Sequence, residues 1–391
     1  MNLFRVLFAG GVIIAVPARA VYAPIPEQDL GKDLTFTFSA GASHDSNIFG
    51  SASKAIGSGV FMFSPKVAYN ASLTAQTFLS LSYQLTLDHF ERRPGDKTLD
   101  SHQFLVRAAH AFSGTTTLDV VEMFQLSRNP ESLLNGIPLN TDQSSQRNEV
   151  DGHFSTNLTA KIGLSLKART VYYNYRNAAL GRSLDRIENL FAASANYAIR
   201  PEVKAVGEIR HQDISYTHGG SIKDKTSDFI MGGADYELAK KVTTTARFGA
   251  EWRHRDAERS TTSPYIELTA KYEYAEGSFL TGGYMYTLEE ASDTALFTDT
   301  KVNRLFVGMQ HAFTPLIVAS GTFTYEPSEL QGRRGQVNIA DDTIRAGVSL
   351  SYLPTKNWTI SVSYDDDSVT SASKARNLSR ERVGLNATYA F

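Results

Sequence analysis

Apolar and polar residues alternate with a period of two along most of this chain, and no other feature restricts its fold as strongly. In residues 79–88, leucines and a tyrosine take the odd positions, while serine, glutamine, threonine and aspartate take the even ones. Because successive side chains of a β-strand point to opposite faces, this pattern predicts strands with one apolar and one polar face. A two-layer soluble sandwich would alternate in the same way, so two architectures remain open at this point.

The lengths and connections of these segments favour a membrane barrel. About eighteen segments follow one another from residue 34 onward, each near the ~10 residues of a tilted transmembrane strand. Short connections, such as residues 240–241, alternate with long polar ones, and many apolar sets end in Tyr, Trp or Phe, as an interfacial girdle requires. The pattern predicts an all-β fold: a transmembrane antiparallel up-and-down β-barrel of about 18 strands (16–18), with both termini periplasmic.

The first residues have the pattern of a secretory signal peptide. Arg5 precedes an apolar run over residues 6–16, which is too short for a membrane-spanning helix. We expect residues 1–23 to be the signal peptide, with cleavage after Ala20 or Ala23. Residues 24–391 would then form one barrel whose first strand starts at about residue 34.

The last ten residues form another alternating segment, in which the apolar set ends with Tyr389 and Phe391. This segment resembles the C-terminal signal that the assembly machinery of Gram-negative outer-membrane barrels recognises. We therefore predict that Tyr389 and Phe391 are an assembly signal. An ordinary edge strand of a soluble sheet is the alternative.

Composition excludes several kinds of site. The chain contains no cysteine, so neither a disulfide framework nor a thiolate metal site can form. The formal net charge is −2, or about −4 without Arg5 and Arg19. The chain therefore lacks the strong positive charge that is typical of nucleic-acid-binding proteins. Glycine-rich phosphate loops and zinc-binding spacings are missing, so the sequence predicts no cofactor and no metal.

A family resemblance rests on the first strand and its loop. Residues 40–49 end in Asp45-Ser46-Asn47-Ile48-Phe49, which is similar to the "beta-barrel porin type two" proteins of Gram-negative bacteria. The resemblance implies an outer-membrane barrel, and some members of that group are similar to eighteen-stranded exopolysaccharide-export porins. For Asp45 and Asn47 we favour a turn that bonds its own backbone over a ligand-binding role.

The polar faces of the predicted strands carry many charged residues. Arg or Lys against hydrocarbon costs about 2–4 kcal/mol at mid-depth, so these residues are expected to face an aqueous lumen. They would line the lumen either as ion pairs that brace the wall or as contacts for a solute. The candidates are Lys66, Arg107, Lys167, Arg169, Lys204, Glu208, Arg210, Arg247, Glu251, Arg253, Glu267, Lys271, Glu273, Arg304, Arg345 and Arg382.

Catalysis is not expected. His211, Asp213 and Ser215 share one face of a predicted strand, and these are the residue types of a hydrolytic triad. Residues two apart on a strand are separated by about 6.6–7 Å, so these three cannot form the necessary hydrogen-bonded chain. The sequence therefore predicts that the protein is not an enzyme.

The longest predicted loop, residues 128–146, contains four large aliphatic residues beside Glu131 and Asp142. Loops of this length are usually functional or disordered, and the aliphatic content argues against disorder. We predict that it folds inward, so that Glu131 and Asp142 narrow the pore. Packing over the barrel mouth or against a neighbouring subunit is the alternative.

Together these features predict a passive outer-membrane channel with a polar lumen of mixed charge. We expect it to pass saccharides, and the resemblance implies a role in exopolysaccharide export. The alternatives are a general diffusion porin and a non-conducting structural or adhesive barrel. Expected partners are outer-membrane lipids and lipopolysaccharide, the barrel-assembly machinery and polysaccharide-export components, but no nucleic acid.

Overall fold

The alternating segments fold into eighteen antiparallel strands in a computed structural model. It describes residues 33–128, 144–218, 222–238, 241–256, 258–291, 294–333 and 335–391, so the predicted signal peptide lies outside the described residues. The strands are β1 (Leu34–Asp45), β2 (Ser58–Thr74), β3 (Thr77–Phe90), β4 (Thr98–Ala111), β5 (Thr116–Ser127), β6 (Ser145–Asn157), β7 (Ile162–Tyr175), β8 (Arg186–Arg200), β9 (Val203–Tyr216), β10 (Lys225–Leu238), β11 (Val242–Arg255), β12 (Thr261–Ala275), β13 (Ser278–Glu290), β14 (Phe297–Thr314), β15 (Ile317–Gly332), β16 (Ile339–Thr355), β17 (Trp358–Ser371) and β18 (Leu378–Ala390).

Helical structure is confined to two short connections. Helix α1 (Ala178–Leu184) lies between β7 and β8, where the Asn177 side chain accepts hydrogen bonds from the first turn. A 3₁₀ turn (Lys374–Arg376) lies between β17 and β18. Within the described ranges, neither is a long apolar helix of the kind that could cross a membrane.

The sheet closes on itself because β1 pairs with both β2 and β18. At this seam the Phe36 and Phe391 backbones exchange two hydrogen bonds of 3.0 Å. Each strand pairs with its sequence neighbours, so the predicted closed up-and-down barrel of 18 strands is confirmed. Closure leaves no edge with unpaired backbone groups, as a lipid environment demands.

Short and long connections alternate around the barrel and define its two ends. We call the end with the tight turns, such as residues 356–357, the turn end, and the opposite end the loop end. The start of β1 and the end of β18 both lie at the turn end, where Asn357 donates a hydrogen bond to the Ala390 carbonyl at 2.5 Å. The periplasmic location of the termini stays a prediction.

Large apolar side chains cover the outer surface of the barrel. Phe61, Ile209 and Val348 are each at least half exposed, and their strand neighbours point inward. Such exposure of aliphatic and aromatic groups is unfavourable in water and favourable in lipid. The buried apolar groups form small clusters near the loop end, such as Ile48, Val60, Phe90 and Leu99.

The backbones of β10 and β11 approach each other closely at two glycines. A β-carbon on Gly233 would meet the Ala246 carbonyl oxygen, and one on Gly249 would meet the Ile230 carbonyl oxygen. The adjacent Gly232 points to the other face and has open space around it. Glycine at 233 and 249 therefore allows neighbouring strands to approach more closely than any side chain would permit.

Candidate functional site

The candidate site is the inner face of the barrel. Strand pairing places all sixteen charged residues predicted for the lumen on the face opposite the exposed apolar side chains. The register connects them from strand to strand around the barrel, as Arg247 opposite Glu267 illustrates. That they contact a solute stays a prediction.

One side of this face carries many small hydroxyl side chains, beside charged residues such as Lys66 and Arg345. We call the inward Ser and Thr residues of β15–β18 and β1–β3 the hydroxyl wall. Hydrogen bonds connect their hydroxyls across strands, at 2.9 Å for Ser39–Thr388 and 2.7 Å for Ser320–Ser349. The wall includes Thr37, Ser39, Ser43, Ser64, Ser80, Ser82, Thr86, Ser320, Thr322, Thr324, Ser349, Ser351, Ser361, Ser363 and Thr388.

The opposite side, which we call the charged wall, is the inward face of β6–β14. Most of its predicted residues are ion-paired; Lys167 contacts Asp151 at 2.9 Å and Arg247 contacts Asp235 at 2.8 Å. Arg304 lies between two carboxylates, Glu289 at 3.0 Å and Glu326 at 2.5 Å. Further pairs are Arg210–Glu208, Arg253–Glu251, Lys271–Glu273 and, outside this wall, Arg107–Asp119 and Arg382–Asp367. Lys66, Arg169, Lys204 and Arg345 have no ion pair within the described ranges.

At the loop end of the charged wall, six charged residues form a buried network, the loop-end cluster. Asp299 binds three cations: Arg253 at 2.6 Å, Lys225 at 3.0 Å and Arg255. Lys225 also contacts Glu290 at 2.6 Å, and Arg253 contacts Glu251 at 2.7 Å. Arg253, Glu251 and Asp299 are at most 2% exposed. Removing one partner from such a network would leave a buried charge uncompensated.

The cluster ties the loop-end parts of β13 and β14 to β10 and β11. Glu290, at the end of β13, accepts a hydrogen bond of 2.6 Å from Tyr216 on β9, which is four strands away. Strands in a sheet are about 4.8 Å apart, so this contact would span ~19 Å along a regular wall. The two side chains can meet because the end of β13 departs from the regular wall: its pairing with β12 stops at Tyr286, whereas its pairing with β14 continues to Glu290.

Other connections cover the same side of the loop end. Thr294 donates to the Ser183 carbonyl at 2.8 Å, and Arg333 donates to the Thr294 carbonyl at 2.9 Å. Lys223 donates to the Arg182 carbonyl at 2.8 Å. Four loops thus pack together above the charged wall.

The Asp-Ser-Asn segment connects the first strand to the last. Asp45 accepts the Asn47 backbone N–H at 2.9 Å, which is the backbone-bonding turn expected from the sequence. Arg380 donates to both oxygens of the same carboxylate, at 3.2 Å to Oδ1 and 2.5 Å to Oδ2, and Asn47 donates to the Ser379 carbonyl at 3.1 Å. The segment therefore fastens the closing seam at the loop end.

Several residues of these networks were not predicted from the sequence. Lys225, Glu290 and Asp299 stand at strand ends next to polar loops, where charged residues are ordinarily solvated, and no local pattern distinguishes them. Arg380 lies in an alternating strand, two positions before Arg382. The period of two therefore places both side chains on the inner face. Its pairing with Asp45 joins positions 335 residues apart and has no local signal.

The remaining predicted residues lie elsewhere. Glu131 and Asp142 belong to residues 129–143, outside the described residues, so the predicted pore constriction stays a prediction. Tyr389 and Phe391 are on the outer face at the turn end, where the Phe391 ring stacks 5.5 Å from Phe36 and Tyr389 lies 5.0 Å from Trp358. Their role in assembly is likewise a prediction.

The three residues weighed as a triad lie on the outer face. His211 contacts Asp228 at 2.7 Å, whereas Ser215 donates to Asp213 at 3.2 Å. Histidine therefore does not connect the hydroxyl to the carboxylate, as a triad would require. The absence of enzymatic activity stays a prediction.

Comparison with known families gives a match over residues 37–391, to the family described as "Putative beta-barrel porin 2". The chain belongs to this family. The protein is thus a porin-like outer-membrane β-barrel, as the resemblance in its first strand implies. A comparison with curated protein sequences finds no match.

Solved structures with similar folds include OpdK, OccAB3 and a siderophore receptor. OpdK of Pseudomonas aeruginosa, in a crystal structure with vanillate, is 10% identical with a TM-score of 0.49, over 92% of this chain and 98% of that one. OccAB3 of Acinetobacter baumannii is 9% identical with a TM-score of 0.48, over 92% and 98%. The siderophore receptor PirA of Pseudomonas aeruginosa is 7% identical with a TM-score of 0.45, over 92% and 80%. At these identities and TM-scores, we draw no functional conclusion from them.

Proposed function

We propose that this protein is a passive channel for uncharged hydrophilic solutes, with saccharides as its main class. The observation that carries the proposal is the division of the lumen into a hydroxyl wall and a charged wall. The hydroxyl wall offers polar groups without charge, such as the Ser320–Ser349 pair at 2.7 Å. The charged wall neutralises most of its charges internally, as in Arg247–Asp235.

Small side chains on the hydroxyl wall support a path along it. Barrels of 16–18 strands leave an aqueous channel unless side chains or loops fill it. Large, ion-paired side chains occupy the charged side, so the open route runs beside serine and threonine. A hydroxyl both donates and accepts hydrogen bonds, which is also the chemistry of a sugar surface.

Charge pairing supports weak ion selectivity. An arginine bonded to a carboxylate presents little net field to a passing ion, because the two charges cancel at short range. The pairs Arg107–Asp119 and Lys167–Asp151 are examples from different parts of the lumen. A channel of this kind would favour neither anions nor cations strongly.

Orientation and biological setting follow as parts of the same proposal. The turn end faces the periplasm and the loop end faces the cell exterior, after removal of residues 1–23. Lipopolysaccharide surrounds the outer part of the barrel, and the barrel-assembly machinery inserts it. Export of exopolysaccharide together with export components is the specific form of saccharide transport that we propose.

Liposome swelling tests the proposal directly. Purified protein in vesicles should admit neutral mono- and disaccharides, and planar bilayers under a salt gradient should show a reversal potential near zero. No swelling and no conductance would refute a channel and favour a structural barrel. Rates set by solute size alone, with equal entry of sugars and unrelated polar solutes, would favour a general diffusion porin.

A further inference from the structure

A polar cavity of about 280 Å³ lies in the inner face beside the loop-end part of β13. Arg186, Glu188, Gln212 and Glu289 line it, with Ile214 among the apolar residues. The first four residues belong to β8, β9 and β13, so the cavity lies on the loop-end half of the charged wall. Its volume is slightly below the usual ~300–1,000 Å³ of ligand pockets and suits a small ligand.

The charged lining of the cavity is held in place by neighbours. Arg186 donates to one oxygen of Glu188 at 2.7 Å and stacks 4.1 Å over the Tyr173 ring. Arg304 donates to one oxygen of Glu289 at 3.0 Å. Each carboxylate is therefore oriented before any ligand arrives, which reduces the entropy lost on binding.

Three polar groups of the lining have unused hydrogen-bonding capacity. The second carboxylate oxygens of Glu188 and Glu289 accept no hydrogen bond from the described residues. Within the same ranges the half-buried Gln212 amide makes none either. A carboxylate oxygen can accept from a hydroxyl, and an amide can both donate and accept. The cavity thus presents two acceptors and one group of dual character.

We propose that this cavity is a binding subsite for one uncharged sugar unit of the transported saccharide. Sugar hydroxyls donate to Glu188 and Glu289, and Gln212 binds a further hydroxyl. The oxygens left to face a sugar belong to carboxylates, whereas the lining cations are already bound, Arg186 to Glu188 and Arg253 to Glu251 and Asp299. An acidic sugar is therefore disfavoured. The inference rests on the proposed function and adds a location and a charge preference to it.

Single-channel recording of the full-length protein tests the subsite with a linear neutral glucose hexamer as the probe. The wild type should show concentration-dependent current block, and Gln212→Leu should raise the half-blocking concentration about tenfold, the effect of losing one hydrogen-bonding group. Gln103→Leu is the matched control, because Gln103 is an inward glutamine on β4, away from the cavity. It should shift the half-blocking concentration by less than about twofold. Conductance without sugar should be the same in all three proteins.

The outcomes separate the subsite from the channel. Equal block of wild type and Gln212→Leu would overturn the subsite, as would equal block by a galacturonic acid hexamer. Sugar-driven swelling of vesicles without any current block would also overturn the subsite while leaving the channel function intact. Absence of both swelling and conductance would defeat the proposed function itself.

Discussion

The hydroxyl wall and the charged wall are built from the same alternating strands, yet they differ in what their inward residues do. On the hydroxyl wall, side chains such as Ser39 and Thr388 are short, partly exposed and hydrogen-bonded to neighbouring side chains. On the charged wall, side chains such as Arg253 and Glu251 are long and at most 2% exposed. The comparison teaches that one strand pattern can produce either a face of short hydroxyl side chains or a buried, ion-paired network.

Breaking the loop-end cluster should have the largest effect on stability. Asp299→Asn would leave Arg253, Arg255 and Lys225 without a shared anion, and we expect a loss of about 3–5 kcal/mol in the free energy of unfolding. Glu273→Gln removes an exposed partner of Lys271 and should cost about 1 kcal/mol or less. Urea unfolding of refolded barrels measures both. Similar small losses would mean that the cluster is not the support we describe.

Substitutions that introduce an arginine should have the next largest effect on stability. Each of two strands, β3 and β12, provides one outward and one inward position for comparison. Leu81→Arg and Leu268→Arg place charge against lipid and should destabilise the folded barrel by about 2–4 kcal/mol. Ser82→Arg lies on the hydroxyl wall and should fold with little loss, because its side chain faces water. Thr269→Arg must displace the 2.6 Å contact with Thr245, so an intermediate loss is expected.

Folding yield in lipid vesicles compares these four variants. Outward and inward substitutions of equal effect would contradict the face assignment. A fully tolerated Thr269→Arg, matching Ser82→Arg, would show that the charged wall has more room than its contacts indicate.

Two adjacent glycines of β10 test how closely the β10 and β11 backbones approach each other. Gly233→Ala would push a methyl group into the Ala246 carbonyl oxygen, and we expect a loss of about 1–3 kcal/mol from overpacking. Gly232→Ala adds the same methyl group where nothing lies within 4 Å and should be nearly neutral. Urea midpoints of the two variants give the comparison. Equal midpoints would refute the close strand approach.

The smallest effect on stability is expected on the hydroxyl wall. The double variant Ser320→Ala/Ser349→Ala removes a 2.7 Å hydrogen bond and should lower the unfolding free energy by about 1 kcal/mol or less. Conductance should stay the same because the wall loses no charge and little volume. Disaccharide-driven swelling should slow, since two hydroxyl partners are gone. Unchanged swelling would separate the wall from the sugar path.

Much of the fold could be predicted because the barrel is a repeat of local features. Alternation at residues 79–88 identifies a strand and both of its faces, and the rhythm of short and long connections gives the strand count. The Asp45–Asn47 turn was also predictable, since its hydrogen bond joins residues two apart. The inward parity of Arg253 and Glu251 followed from the same period of two.

The sequence by itself determined the strands, their faces and the closed antiparallel order, because each of these depends on neighbours in the chain. Only the tertiary structure decided that Glu290 meets Tyr216, and that Asp45 binds Arg380 across the seam. It also decided which charged residues are buried together at the loop end. These contacts join residues 74 and 335 positions apart, and no local pattern encodes them. They arise once closure brings distant strands within side-chain reach.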